Sequence, residues 1–420
     1  MSRSLNVWYQ DRKVGRLLDS GGGRMAFIYD GDWLDDGWAI SCSLPVDETG
    51  DFLPPDLRGH HFFANLLPEG NARDRLVRQL GIADDDFTLL EKLGGDCAGA
   101  LQLLPEGDSP NTDGNALRVL TQADLITAIE RGRANWLDGD TAPRLSLAGA
   151  QDKIPVRATA NCDGTWHLQL PENGAASTHI LKLPVRDLKQ VPLLEIYTTY
   201  IAEKLGLPVA PVRLVRIGPH IASLAERYDR QTHDGVVDRL HQEDFCQAQG
   251  LSHNAKYEAG DNAVAKVAAA IQKHCLRPAL DLQAFARWQI FNALAGNADG
   301  HLKNLSLISH GRKGWSLAPF YDLVCTLAID NISHQLALPV GSHNDPGNLH
   351  RKHWDVFANQ LGMAPKYIHR LIRAQASSLS TNLEVWHRNF IEDHQLTSEL
   401  DNAQAVIKRQ IGKAKRDWLP

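Results

Sequence analysis

Asp299-Gly300-His301-Leu302-Lys303-Asn304 sets an aspartate five residues ahead of an asparagine, and Pro319-Phe320-Tyr321-Asp322 adds a second aspartate downstream. Transfer of a phosphoryl group from ATP uses such a set. One carboxylate sits beside the acceptor hydroxyl as base or orienter, and an Asn on the same loop and a later Asp hold metal. Asp299 fits the first role, and the oxygens of Asn304 and Asp322 suit the hard cation Mg2+. Upstream, Lys182 stands alone among apolar residues in Ile180-Leu181-Lys182-Leu183. A lysine on a half-buried strand needs a negative partner; ATP phosphates would serve, with Glu195 on the following helix as the ion-pair partner that positions it. Glu226-Arg227-Tyr228-Asp229 ends a strand pattern and reads as a hinge whose backbone bonds adenine, with Tyr228 beside the ring. Ser146-Leu147-Ala148-Gly149-Ala150-Gln151-Asp152-Lys153 is rich in small residues that let backbone N–H groups approach phosphates. Taken singly, each fragment also has an ordinary reading: an Asp-Gly turn, an edge lysine facing solvent, a surface charge cluster, a plain loop.

These residues need elements to hold them. Residues 1–103 read as a small mixed unit. It has a hairpin over Leu5–Leu18, a strand at Met25–Tyr29, a helix over Asn71–Leu80 and a strand near Ala100–Leu104. The segment Pro105–Asn115 has no periodicity and many breakers, which marks a linker. Strands are expected at Lys153–Ala158, Thr165–Leu170, His179–Pro184, Val212–Ile217 and His220–Glu226. A helix opening at Pro192 carries the stripe Leu194, Tyr197, Ile201 and Leu205 and stops at Gly206. From Gln242 the pattern turns helical. Asp281 is placed to cap a helix that ends at Gly296-Asn297, and the Asp299 loop follows, with two short strands before Asp322. Strands first and helices later predict an α+β, two-lobed layout. The expected parts are 1–107, 108–245 and 246–420.

Together the motifs resemble the HipA family, kinase toxins of bacterial toxin–antitoxin systems. They occur in family order: Ser146–Lys153, His179–Pro184, Glu226–Asp229, Asp299–Asn304 and Pro319–Asp322. Asn65–Gly70 and Gly99-Ala100 also resemble the small N-terminal domain of full-length members. The resemblance implies a two-lobed, non-specific serine/threonine protein kinase with a phosphatidylinositol-3/4-kinase-like C-lobe and a small mixed α/β N-terminal domain. By motif, Asp299 is catalytic, and Asn304 and Asp322 hold Mg2+. Ala148, Gly149, Ala150, Gln151, Lys153, Lys182, Glu226 and Tyr228 bind ATP. His301 and Lys303 belong to the signature without a firm role, with His301 packed under the loop beside the nucleotide site. The resemblance further implies self-inactivating autophosphorylation at Ser146. It implies a helix-turn-helix, HipB-like antitoxin that supplies DNA recognition, and a cytosolic protein substrate such as an aminoacyl-tRNA synthetase.

Composition sets limits on these expectations. Among 420 residues, 43% are hydrophobic and 22% charged, which excludes a wholly disordered chain. Forty-four Lys and Arg against 50 Asp and Glu give a net charge of −6, so any DNA contact must come from a local patch or a partner. The basic tail Lys408, Arg409, Lys413, Lys415 and Arg416 is such a patch, or simply a solvated helix face. No apolar run reaches membrane-spanning length. The start has no apolar signal core, and six scattered cysteines fit reduced thiols, so a cytoplasmic protein is expected. Two other readings stay open: a kinase of the same fold acting on a lipid or small molecule, and an inactive kinase-fold corepressor. The full set Lys182, Asp299, Asn304 and Asp322 argues against the second.

Overall fold

The computed structural model describes residues 3–46, 50–110, 116–131, 153–162, 164–172, 174–184, 188–257 and 262–419. They divide into two compact units. One lies within residues 1–187, 215–253 and 307–314, the other within 188–214, 254–306 and 315–420.

The first unit contains two large sheets and the two-stranded hairpin Arg230–His233/Val236–Arg239. Five antiparallel strands run in the order Asp51–Phe52, Met25–Tyr29, Arg12–Asp19, Ser4–Tyr9, Leu101–Pro105. The hairpin expected over Leu5–Leu18 is present, with Leu5 opposite Leu17 and Val7 opposite Gly15. Phe27, Phe52, Phe62, Phe63, Leu89, Leu90 and Leu103 are fully buried between this sheet and its helices, of which Gly70–Leu80 matches the sequence pattern. The helices Gly31–Asp36, Arg58–Ala64 and Asp86–Leu93 escape sequence reading because each is too short to show a full apolar period.

The second sheet has the strand order Val212–Ile217, His220–Glu226, His179–Lys182, Lys153–Ala160, Trp166–Pro171, Leu117–Val119. His179–Lys182 is therefore an interior strand, bonded on both sides. The helix Gln122–Arg131 covers one face, where Leu125 and Ala128 pack with Ile154, Val156, Leu181 and Leu224. The chain does not turn helical directly at Gln242. Gln242–Asp244 is a short strand, and Asp244 then caps the helix Phe245–Ala248 through a reciprocal pair of bonds with Gln247.

The second unit is built from helices, chiefly Val191–Lys204, Ala263–His274, Pro278–Ala295, Arg351–Gln360, Pro365–Asp393 and Asp401–Lys413. Val191–Lys204 is buried nearly all round, Glu195, Thr198 and Thr199 included, rather than along one stripe. Its neighbours close over the polar side as well as the apolar one. Pro278–Ala295 begins one turn earlier than expected: Pro278 occupies the first turn, where its missing N–H costs nothing, and Asp281 sits inside that turn instead of capping it. Phe285, Trp288 and Phe291 on this helix are fully buried. None of the six cysteines is in a disulfide. Among the described residues, no helix is long and apolar enough to cross a membrane.

Candidate active site

The Asp299 loop is hung from the end of the buried helix Pro278–Ala295. Gly296 takes a left-handed conformation (φ 73°) that stops the helix, a position where a side chain would be strained and where a Cβ would come within 2.7 Å of Val406. Asn297 returns its backbone N–H to Asn292 O (2.9 Å) and its amide N–H to Asn292 Oδ1 (3.0 Å), and its own Oδ1 accepts from Asp299 N (3.2 Å). Thr326 Oγ1 accepts from Ala298 N at 2.7 Å. Gly300 has no room for a side chain: a Cβ would lie 2.6 Å from Asn292 Nδ2 and 3.2 Å from the Trp288 ring. His301 N and Asn304 Nδ2 both donate to Asp299 O, at 2.8 and 2.9 Å, winding the loop into the turn Leu302–Asn304.

This geometry holds the Asp299 carboxylate outward while its backbone is fully used. The side chain is half exposed, and Oδ1 accepts from the Tyr257 hydroxyl at 2.9 Å. His301 is buried; its Nε2 lies 4.0 Å from Asp299 Oδ1, and its ring meets Tyr257 edge to face at 5.2 Å. His301 thus backs the tyrosine that touches the carboxylate. Asn304 donates its side-chain amide to Asp299 O, and its Oδ1 is an acceptor of the kind a hard cation takes. Asp322 adopts φ +57°, a conformation uncommon for a residue with a side chain and tolerated by Asp and Asn. Tyr321 ties the two loops: its hydroxyl donates to Lys303 O (2.7 Å) and lies 2.7 Å from Ser306 Oγ. Phe320 is bonded in both directions to the Pro208–Ala210 segment. Asn and Asp oxygens fit Mg2+, which takes few protein ligands and completes its shell with water and phosphate. Among the described residues, no group of three His, Cys, Asp or Glu is placed to hold a metal.

In the other unit, Lys182 is 4% exposed on its interior strand, flanked by Ser223 on one side and Lys153 on the other. Residues directly opposite on antiparallel strands share a face, so both lysines leave the sheet on the same side. Glu226, paired with His179, is exposed at the end of its strand, and Tyr228 donates its hydroxyl to Gln242 Oε1 at 2.6 Å.

The charges around Tyr228 are not a surface cluster. Arg227 and Asp229 are buried and form a two-bond pair (2.9 and 2.7 Å), and Arg227 also donates to Ser177 Oγ and Cys97 O, both at 2.9 Å. Arg230 donates to Asp96 Oδ1 (2.7 Å) and Gly99 O (2.9 Å), while Gly99 N donates to Asp229 Oδ2 (2.7 Å). Burial alone would raise the Asp96 carboxyl, but Arg230, Arg227 and Arg239 pull it below the ordinary carboxylate range. The Gly95–Gly99 turn of the N-terminal part is thereby locked to the segment that carries Glu226 and Tyr228.

Within the helical unit, hydrogen bonds join Asp299, His301 and Asn304 in one turn, and Tyr321 ties that turn, through Lys303 O, to the Pro319–Asp322 segment. In the sheet unit it sets Lys153 opposite Lys182 and fixes Tyr228. Ser146, Ala148, Gly149, Ala150 and Gln151 lie outside the described residues. Sequence reasoning missed Tyr257, Asn292 and Thr326, which stand far from the motif or inside an apolar helix, and it gave Tyr321, although inside the Pro319–Asp322 motif, no role. It also missed Asp96, whose only signal was the glycine-rich turn Gly94–Gly99.

The family HipA-like C-terminal domain matches residues 145–383, and the family HipA N-terminal domain matches residues 5–104. The chain is 34% identical over 419 residues to the Sinorhizobium fredii protein named “Putative kinase Y4mE”, covering 97% of this chain and 98% of that one. It is 30% identical over 377 residues to the serine/threonine-protein kinase toxin HipA of Shewanella oneidensis, covering 86% and 84%. Its fold matches Shewanella oneidensis HipA, solved with HipB and operator DNA, with a TM-score of 0.81 at 27% identity over 98% of this chain and 97% of that one.

Proposed function

This chain belongs to the HipA family, and from that membership we propose that it is a serine/threonine protein kinase, the toxin of a toxin–antitoxin pair. The observation that carries the reading is the Asp299 loop, which turns one carboxylate to solvent, binds Asn304 through the Asp299 carbonyl and is tied through Tyr321 to the segment that carries Asp322. The acceptor hydroxyl oxygen bonds to the γ-phosphorus of ATP, the bond to the bridging oxygen breaks, ADP leaves, and the hydroxyl proton passes to Asp299. Tyr257 fixes the carboxylate rotamer, and His301 backs Tyr257. Mg2+, held through Asn304 and Asp322, would neutralise charge on the phosphate oxygens. Lys153 and Lys182 bind phosphates from the sheet side; Glu226 and Tyr228 hold adenine at the hinge.

The same reading divides the chain into an N-terminal part (1–107), an N-lobe (108–245) and a phosphatidylinositol-kinase-like helical C-lobe (246–420). The loop around Ala148–Gln151 faces the phosphates. Ser146 at its start is an autophosphorylation site whose added charge, about −1.5 to −2, opposes ATP binding. The partner is a small HipB-like helix-turn-helix antitoxin through which the pair reaches DNA, and the protein acts in the cytoplasm on a protein substrate. The test is incubation with labelled ATP–Mg2+ and a cytosolic extract, followed by identification of labelled proteins. Asp299→Ala is expected to lower the rate by on the order of 10²–10⁴-fold, and Asp322→Ala to weaken metal-dependent ATP binding as well. Unchanged turnover in both variants refutes the assignment.

A further inference from the structure

Beside Asp299 the helical unit encloses a chamber of about 700 Å3, a size that accommodates a few side chains. Tyr257 and Asp299 line one side; Ile332, Gln335, Leu336 and Ser342 line the other. The far wall is built, not draped. Ala337 N donates to Ala298 O of the catalytic loop (2.8 Å), buried Gln289 donates its amide to Leu338 O (2.7 Å), and Leu336 N donates to Asn344 O (2.7 Å). Two large apolar surfaces remain open to solvent at this chamber, Tyr257 at 55% and Ile332 at 36% exposure. Among the described lining residues Asp299 is the sole acid, and none is Lys, Arg or His.

We propose that this chamber is the acceptor site and that it takes a protein segment whose Ser or Thr is flanked by an uncharged, apolar side chain. The inference rests on the kinase reading of Asp299. An acceptor hydroxyl brought to Asp299 places its neighbouring side chain against Ile332 and Tyr257, whose exposed apolar surface leaves water together with it. An acidic flank, or the phosphorylated headgroup of a phosphoinositide, would meet the Asp299 carboxylate with no Lys, Arg or His among the described lining residues to offset it. The chamber therefore selects by the charge it lacks as well as by the apolar surface it offers.

The experiment uses the purified full-length chain with ATP–Mg2+ and Ser-centred peptides that differ only in the flanking residue: Leu, Asp or Lys. Phosphatidylinositol phosphate vesicles serve as the lipid acceptor. The Leu-flanked peptide is expected to exceed the Asp-flanked one in kcat/KM by about tenfold or more, the discrimination one apolar contact supplies, and vesicles to stay unlabelled. Ile332→Asp is expected to shift preference towards Lys flanks and Ile332→Lys towards Asp flanks, opposite changes that loss of folding cannot produce. Equal rates for Leu and Asp flanks, preference unmoved by either substitution, or labelling of vesicles over peptides overturns the proposal and leaves the kinase reading standing. No transfer to any acceptor, with wild type and Asp299→Ala alike, overturns both.

Discussion

At the level of single residues, the site separates groups that do chemistry from groups that hold them. Asp322 combines both demands, since it offers a carboxylate from a left-handed backbone position. Asn tolerates that conformation and cannot bring a negative charge. Asp322→Asn is therefore expected to fold with a thermal midpoint close to wild type while losing metal-dependent ATP binding, read by calorimetric titration with and without Mg2+. Gly300→Ala tests the opposite case. Its Cβ would press on Asn292 and Trp288, two buried side chains of the supporting helix. The overpacking should cost about 1–3 kcal/mol of stability, measured by denaturant unfolding, and should lower kcat through a displaced Asp299. Wild-type activity in Gly300→Ala would show that the loop does not need its tight seat.

Among the elements, the segment after the strand His220–Glu226 is anchored by the N-terminal turn Gly95–Gly99. Asp96 neutralises Arg230, Arg227 and Arg239 inside the protein. Removing one partner of such a buried network leaves unpaired charge and typically costs about 3–5 kcal/mol. Asp96→Asn is expected to lose stability in that range near neutral pH and to weaken ATP binding, because the segment carrying Glu226 and Tyr228 loses its anchor. The pH dependence has a definite sign. The folded-state carboxyl is held below its ordinary value of 3.8, so its contribution is fully present above that pH and is lost as pH falls below it. The stability gap between wild type and Asp96→Asn should thus be constant from about pH 5 to 7 and shrink in stronger acid. Unfolding midpoints across that range decide the matter; a gap that widens on acidification would contradict the ion-pair account.

For the whole molecule, the proposed pairing with an antitoxin and the proposed switch at Ser146 make one joint prediction. Mass spectrometry after incubation with ATP should find Ser146 modified, and the modified chain should bind ATP more weakly while still copurifying with its helix-turn-helix partner. A modified Ser146 with undiminished ATP affinity would remove the switch. The isolated chain, at net charge −6, should bind DNA weakly. Its most basic segment is partly spent internally: Lys408 pairs with Glu384 at 3.0 Å and Lys415 donates to Ser380 at 2.6 Å. Tight operator binding without the partner would contradict this division of labour.

What could be read from the sequence was whatever depends on near neighbours. Five of the six strands of the second sheet, the helix ending at Gly296 and the order Asp299, Asn304, Asp322 were legible, because backbone period, helix stops and a five-residue loop offset are local properties; the three-residue strand Leu117–Val119 was too short to show a period. Lys182 was legible as an anomaly, a charge inside an apolar strand. The register that sets Lys153 opposite Lys182 was not, since cross-strand neighbours are chosen by how two distant strands bury their apolar faces. Arg227 and Asp229 looked like surface charge, because nothing nearby reveals Asp96, more than a hundred residues earlier, as the counter-charge that lets them be buried. Tyr257 and Thr326 carried no motif, and Tyr321 sat in one without a role; what they do exists only where the chain returns to the Asp299 loop. The sequence by itself determined which groups could perform phosphoryl transfer. The tertiary structure alone decided which side chains orient them, because hydrogen bonds and ion pairs select partners by distance in space and not by distance along the chain.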